Sequence, residues 1–379
     1  MSQSKVYDVA IIGGGLAGLC LAIQCADDGR SVILFEKEEY PFHKVCGEYI
    51  SLESYGFLKR LGVQLEQLNL PFIKTLQLSD VAGGLYKFPL PLGGFGISRY
   101  KLDDDLYRIA ISKGVNIQTS TKVSDVQFAN DTFSLQANNT YAQARVVAGC
   151  FGKRSNLDVK WNRPFIQQKR SALSNYVGIK YHIRYDHDPS LISLHNFYNG
   201  YCGISKVEEG KGCLCYLTTA QNLRDNNNSI DELQRNVLYK NKYLKQVFEK
   251  ATFLYHQPLA ISQISFRKKS QVQHHVLLLG DAAGMISPLC GNGMSMAMHA
   301  SKMAFTSLQK FLNRESSRDQ MEDQFTREWK KEFSSRLWVG RSVQRFFGGN
   351  YSTSLFLKTM DTLPWLAKQV IKSTHGNPF

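Results

Sequence analysis

Nowhere in the 379 residues does an apolar run approach the ~20 needed for a helix to cross a bilayer, so no spanning segment is expected. Nor does the chain open like a secreted one. MSQSKVYDVAIIGGG passes from a short apolar segment straight into glycines, as a buried strand does, and a cytoplasmic location is the expectation. Without an export signal the eight cysteines (Cys20, Cys25, Cys46, Cys150, Cys202, Cys213, Cys215 and Cys290) read as thiols rather than a disulfide framework. Cys213 and Cys215 have no second pair and no nearby histidine to complete a zinc site. In a strand they share one face and pack, so no metal is expected. Acids are scarce, 32 against 46 lysines and arginines, giving a formal net charge of +14. Such a balance suits an acidic carrier protein, peripheral contact with the inner face of a membrane, or solubility alone. The basic residues are scattered and no nucleic-acid motif is present, so nucleic acid is not an expected partner. Repeats and low-complexity tracts are absent as well.

What is present alternates between two periodicities. VYDVAII, residues 6–12, suits a strand buried on both faces; Leu16 to Asp28 has helical spacing and stops at Gly29; SVILFE, residues 31–36, is a second buried strand. Together they form a β-α-β unit with a right-handed crossover. A helix over ESYGFLKRLG follows, then short alternating strands from Phe72 to Gly96 and a helix from Lys101 to Ser112. Residues 163–264 are rich in alternating strands, with one polar helix near Ser229 to Lys250. At His275 the pattern returns to a buried strand, VLLLGDAAG, and a helix from Gly293 to Leu312.

Between the first strand and helix, Gly13-Gly14-Gly15-Leu16-Ala17-Gly18 fits G-x-G-x-x-G. Gly13 permits the tight turn, Gly15 lets the backbone approach a pyrophosphate, and Gly18 allows close helix–strand packing. The helix N-terminus, starting at Leu16 and Ala17, offers free N–H groups to phosphates. Glu36 ends the second strand, where a carboxylate holds a ribose hydroxyl.

Far along the chain, Leu279-Gly280-Asp281-Ala282-Ala283-Gly284 is followed by Ser287-Pro288-Leu289-Cys290-Gly291-Asn292-Gly293. This pair of elements resembles the distal FAD motif of the flavoprotein monooxygenase (para-hydroxybenzoate hydroxylase-like) and geranylgeranyl reductase superfamily. The resemblance implies FAD as cofactor, Asp281 on the ribityl chain, and backbone around Pro288, Gly291, Asn292, Gly293 and Met294 facing the pyrophosphate and the flavin's polar edge. Lys44-Val45-Cys46-Gly47-Glu48 resembles the K-x-C-G-E segment of geranylgeranyl reductase-like proteins, which passes beside the isoalloxazine. Cys46 and Glu48 thereby become catalytic candidates; the alternative is that Glu48 caps the next helix and Cys46 packs. Ile97-Ser98-Arg99-Tyr100 resembles the superfamily's arginine-plus-helix segment, with Arg99 near the flavin or its phosphates, or in a structural salt bridge. Lys37, Lys44, Val45, Cys46 and Val123 complete the cofactor set that the resemblance implies, and a Cys46–Cys290 redox pair is one further reading.

Ala148-Gly149-Cys150-Phe151 to Asp158 occupies the place of the A-D-G-x-x-S-x-x-R element of aromatic hydroxylases, but Phe151 stands where the aspartate belongs and Asp158 where the final arginine belongs. The electron donor is thus open between NAD(P)H and a partner reductase. The expected fold is α/β: a glutathione-reductase-like Rossmann FAD domain (1–71, 97–160 and 268–312), an inserted antiparallel β-sheet substrate domain (72–96 and 161–267), and a helical C-terminal region (313–379). The leading functional expectation is an FAD-dependent oxidoreductase that reduces a hydrophobic polyene, isoprenoid or long-chain aromatic molecule. An aromatic monooxygenase is the alternative. A halogenase ranks lower, since Trp161-Asn162-Arg163-Pro164 does not match W-x-W-x-I-P, and a flavin electron carrier is the non-enzymatic reading.

Overall fold

The computed structural model describes residues 5–138, 140–167 and 175–379; residues 168–174, inside the expected β-rich stretch, lie outside the described ones. Two sheets carry the architecture. The first runs in the order Val272–Gln273, Val276–Leu278, Thr140–Gly149, Val6–Ile12, Val32–Phe35, Asn116–Gln118. Its central pairs are parallel, with Val9 opposite both Val32 and Val146. Strands that are apolar on both faces require cover on both faces. Helices Leu16–Asp27, Arg99–Ser112 and Gly293–Leu312 pack together over this sheet and share one apolar core with it.

The second sheet has nine strands and is antiparallel except where Leu191–Phe197 runs alongside Phe72–Ser79. Tyr49–Ser51 pairs into it through Leu85–Gly96, so the chain crosses between the layers just after the K-x-C-G-E segment. Along Tyr176–Arg184 the strand period sorts the side chains. Val177, Ile179, Tyr181 and Ile183 join the apolar cluster of Leu233, Leu244 and Phe248, which leaves Gly178, Lys180 and His182 on the opposite face. The polar helix expected near Ser229 to Lys250 is three pieces, Ile230–Asn236, Leu238–Lys240 and Lys242–Lys250. Asn241 breaks it, because its side chain turns inward to donate to Ser79 Oγ at 2.8 Å and the Asn196 carbonyl at 2.9 Å.

The C-terminal part begins with the Arg318–Gln344 helix, opened by a capping box between Ser317 and Gln320. Helices Asn350–Thr362 and Pro364–Thr374 follow and pack on the second sheet. No helix among the described residues is long and apolar enough to cross a membrane.

Candidate functional site

The glycine loop is shaped by contacts that a side chain would destroy. Gly13 has φ +106°, and a Cβ there would stand 2.5 Å from the Cys150 carbonyl oxygen; one on Gly18 would strike the Gly13 carbonyl oxygen. Gly15 is different. A Cβ there meets only the Arg99 guanidinium at 3.7 Å and the Lys44 ammonium at 3.8 Å, so two cations face the loop across a gap. Gly15 also precedes a helix with no side-chain cap and no acid in its first turn, which leaves N–H groups free for an anion. Asp103, 1% exposed, steadies both cations: Arg99 Nε and Nη2 donate to it at 2.8 and 2.7 Å, and Lys44 Nζ at 3.0 Å. Burial pushes the Asp103 carboxyl up, but the charges of Arg99 and Lys44 outweigh it and hold the group below the usual range. Arg99 therefore forms the structural salt bridge and faces the loop at once.

Glu36 closes the other side. Its carboxylate accepts from the Gly14 N–H at 2.8 Å and the Glu38 N–H at 3.1 Å. Tyr40 donates to the Gly14 carbonyl and stacks on Tyr107 at 4.3 Å. Lys37 points away and pairs with Glu38 at 2.7 Å, while Val123 is buried where its strand begins.

The distal segment arrives beside this loop. Gly280, at φ +58°, faces Ala17 Cβ at 3.6 Å and Ala297 Cβ at 3.5 Å, so the first turns of two helices converge there. Burial raises the Asp281 carboxyl, with Lys269 and Arg99 pulling it back. Lys269 donates to the Asp281 carbonyl at 2.7 Å, and burial lowers its own ammonium to about 8. Pro288 opens a short turn, and Gly291, at φ +63°, lets the Tyr49 ring lie 2.9 Å from where a side chain would stand. Asn292 is fully buried; its Nδ2 donates to the Thr374 carbonyl at 2.8 Å, while its Oδ1 finds no partner among the described residues.

Residues 44–48 bridge the two layers. Cys46 Sγ lies 3.6 Å from Met294 Sδ at the start of the distal helix, and Val45 lies over Gly178. Glu48 has no exposed surface and φ +55°. One of its oxygens accepts from the Arg99 N–H at 2.8 Å and from Lys180; the other lies 2.6 Å from His182 Nε2. Burial alone would raise the Glu48 carboxyl, yet the His182 hydrogen bond and the Lys180 charge hold it below the usual range. Cys213 Sγ sits in the same cluster, 3.2 Å from the Cys46 carbonyl. The carboxylate, imidazole and thiol lie within 4.8 Å of one another, and the Lys180 ammonium supplies the positive charge among them. From His182 a chain of contacts leads outward: Nδ1 is 3.0 Å from Tyr255 Oη, which is 2.9 Å from His43 Nε2. Both Tyr255 and His43 are half-buried, and burial with the nearby His182 and Lys180 pushes His43 down to about 4. His43, Tyr255, His182 and Glu48 thus form one line of hydrogen-bonding groups, an arrangement able to pass a proton between the protein edge and a buried carboxylate. Tyr255→Phe should leave the fold intact but cost about 1–2 kcal/mol, shifting the His182 Nδ1 resonance in nitrogen NMR while the Nε2 contact with Glu48 persists.

Lys180, His182, Tyr255 and His43 were not expected from sequence. Their one signal is Lys180 and His182 at alternate positions of an otherwise apolar strand, YVGIKYHI. Cys46 and Cys290 are both free thiols, and Cys290 is buried beside Ile286 and Gly340. Phe151 packs into the core near Trp161. Asp158 caps its own short helix through the Ser155 N–H and pairs at 2.6 Å with the buried Arg163, which also donates to the carbonyls of Ala282 at 3.0 Å and Ser270 at 3.1 Å.

Comparison with known proteins identifies the family. The family described as "FAD binding domain" matches residues 6–331. The chain belongs to that family. This FAD-binding protein is 25% identical over 376 residues to conditioned medium factor receptor 1 of Dictyostelium discoideum, covering 91% of the chain and 72% of the relative. It is 24% identical over 372 residues to menaquinone reductase of Mycobacterium tuberculosis, covering 91% and 84%. Among solved structures, the flavin-dependent brominase Bmp2 superposes with a TM-score of 0.80 at 20% identity, over 98% of this chain and 93% of that one. The FAD-binding protein thus has the fold of the flavoprotein monooxygenase superfamily and is an FAD-dependent oxidoreductase. Two cations facing Gly15 and an uncapped helix N-terminus match the charge of that cofactor's pyrophosphate.

Proposed function

We propose that the protein reduces a double bond in a hydrophobic substrate of polyene, isoprenoid or quinone-like aromatic type. The observation that carries the substrate class is the apolar seam between the second sheet and the two C-terminal helices. It is a packed cluster that includes Tyr176, Tyr201, Phe266 and Phe347, and it takes in Met285 and Leu289 of the distal segment. The menaquinone reductase relative supports the same class. In this reading the Gly13–Gly18 loop with Arg99 and Lys44 would hold the phosphates of FAD, Glu36 the ribose, and Asp281 the ribityl chain. FAD bound there would supply the hydride.

The chain's own residues supply orientation and the proton. Burial raises the Cys46 thiol, so Sγ stays protonated and serves as the acid. Glu48, held ionised, is the weaker acid candidate. It fixes the 44–48 segment by accepting from the Arg99 N–H and from Lys180. His182, Tyr255 and His43 exchange protons with it. Cys46 Sγ would protonate one carbon of the double bond as the other is reduced, and the thiolate would regain its proton from water.

Phe151 and Asp158, in place of the hydroxylase aspartate and arginine, support a donor other than directly bound NADPH. Anaerobic mixing with NADPH is expected to leave the protein yellow, while dithionite bleaches it. Rapid bleaching by NADPH would move the balance to an aromatic hydroxylase. Cys46→Ser is expected to retain FAD and lose turnover by roughly 10²–10⁴-fold, the range for a positioned acid; full turnover in that variant would remove Cys46 from the mechanism.

A further inference from the structure

We propose that the outer face of the two C-terminal helices docks on an anionic lipid surface. The inner faces are occupied: Thr353, Leu357 and Met360 of the Asn350–Thr362 helix, and Ala367, Ile371 and Thr374 of the Pro364–Thr374 helix, are buried. The apolar ones join Leu78, Phe88 and Tyr201 of the second sheet in one cluster. On a helix packed this way the opposite face is ordinarily polar. Here it carries Tyr351 at 92%, Leu355 at 70% and Trp365 at 67% exposure, and Trp338 of the Arg318–Gln344 helix is 65% exposed. Exposed bulk of this kind marks an interaction surface.

Its charge selects the partner. Lys358 follows Tyr351 and Leu355 on one helical stripe, and Lys368 and Lys372 follow Trp365 on the other, at spacings of three, four and seven residues. All three lysines are exposed, as is Arg345. Across residues 337–372 the only acid is Asp361. Tryptophan and tyrosine with interspersed lysine is the chemistry of a membrane–water interface: the rings enter the headgroup layer and the ammonium groups meet anionic lipid. A second copy of the same face fits poorly, because a two-fold contact would set lysines against lysines. The docking face lies directly outside the seam proposed for the substrate, so a lipid-borne molecule would enter from beneath the helices. Docking itself stands whether or not that reading of the substrate holds.

The test is sedimentation of the FAD-loaded protein with phosphatidylcholine vesicles, with and without phosphatidylglycerol, at low and high salt. The wild-type chain is expected to sediment only with the anionic vesicles, to be released by salt, and to show tryptophan quenching by brominated acyl chains. Lys368→Glu with Lys372→Glu should weaken partitioning by about fivefold or more for each cation removed. Leu355→Ser with Trp365→Ser should weaken sedimentation with the anionic vesicles, with FAD content and far-UV dichroism unchanged in both pairs. Three results would overturn the proposal: wild-type protein staying in solution with anionic vesicles at low salt, variants that bind as wild type does, or self-association or capture of an acidic protein that depends on these residues without lipid binding. Reduction of detergent-solubilised substrate without vesicles reports on the enzymatic reading separately.

Discussion

Gly18→Val should yield a colourless protein. A Cβ at this position runs into the Gly13 carbonyl oxygen and comes within 3.2 Å of Ile11. Overpacking costs about 1–3 kcal/mol even where side chains can yield, and here the obstacle is backbone. The first helix would have to lift off the first strand, moving Leu16 and Ala17 and with them the convergence at Gly280. Flavin affinity should fall at least about a hundredfold, ~2.8 kcal/mol, read from the absorbance of the purified protein and from FAD titration. Gly29→Ala is the control. That glycine has a positive φ, +73°, and open space around it, so the variant should lose about 1 kcal/mol of stability and remain yellow.

Lys180→Met should cost about 3–5 kcal/mol at neutral pH, the usual penalty for removing one partner of a buried ion pair. Lys180 is 1% exposed and Glu48 fully buried, so the remaining carboxylate is stranded except for the Arg99 N–H and His182. The wild-type Glu48 carboxyl is held below its ordinary value, so its stabilising contribution is present above the unfolded carboxyl's pKa and disappears as pH falls through the folded one. In the variant the sign reverses. With its cation gone, the buried Glu48 favours the protonated form, and lowering the pH supplies that proton, so the deficit should shrink between pH 7 and pH 5.5 in urea denaturation. Adding Glu48→Gln to Lys180→Met should recover most of the loss. A deficit independent of pH, or no recovery in the double variant, would show that packing rather than charge dominates.

The parts of this protein written in contiguous residues could be read from sequence. Gly13 to Gly18 and Glu36 lie within one β-α-β unit, and Gly280 to Gly293 within one strand–turn–helix, so local spacing carries the geometry. The cluster around Glu48 is not written that way. It depends on strand register, which sets Lys180 opposite Cys215 and His182 opposite Cys213, and on the crossing at Tyr49–Ser51 that lays the 44–48 segment on that face. Asn241 shows the same limit on a smaller scale. The polar stretch from Ser229 to Lys250 has helical composition throughout, and its second break, before Lys242, comes from the tertiary partners of one side chain, Ser79 and Asn196. Asp158 reads as a departure from a family element until Arg163, five residues on, is seen to need it.

Arg163 gives that departure a consequence. The chain leaves the cofactor layer near Asp158 and returns at Ser270, and one buried guanidinium holds both ends together beneath Ala282. The intervening residues therefore form a loop with a fixed mouth. Insertions or deletions inside it can reshape what the protein accommodates while the spacing between the glycine loop and Asp281 stays the same. A chain built this way can change its diet without losing its cofactor.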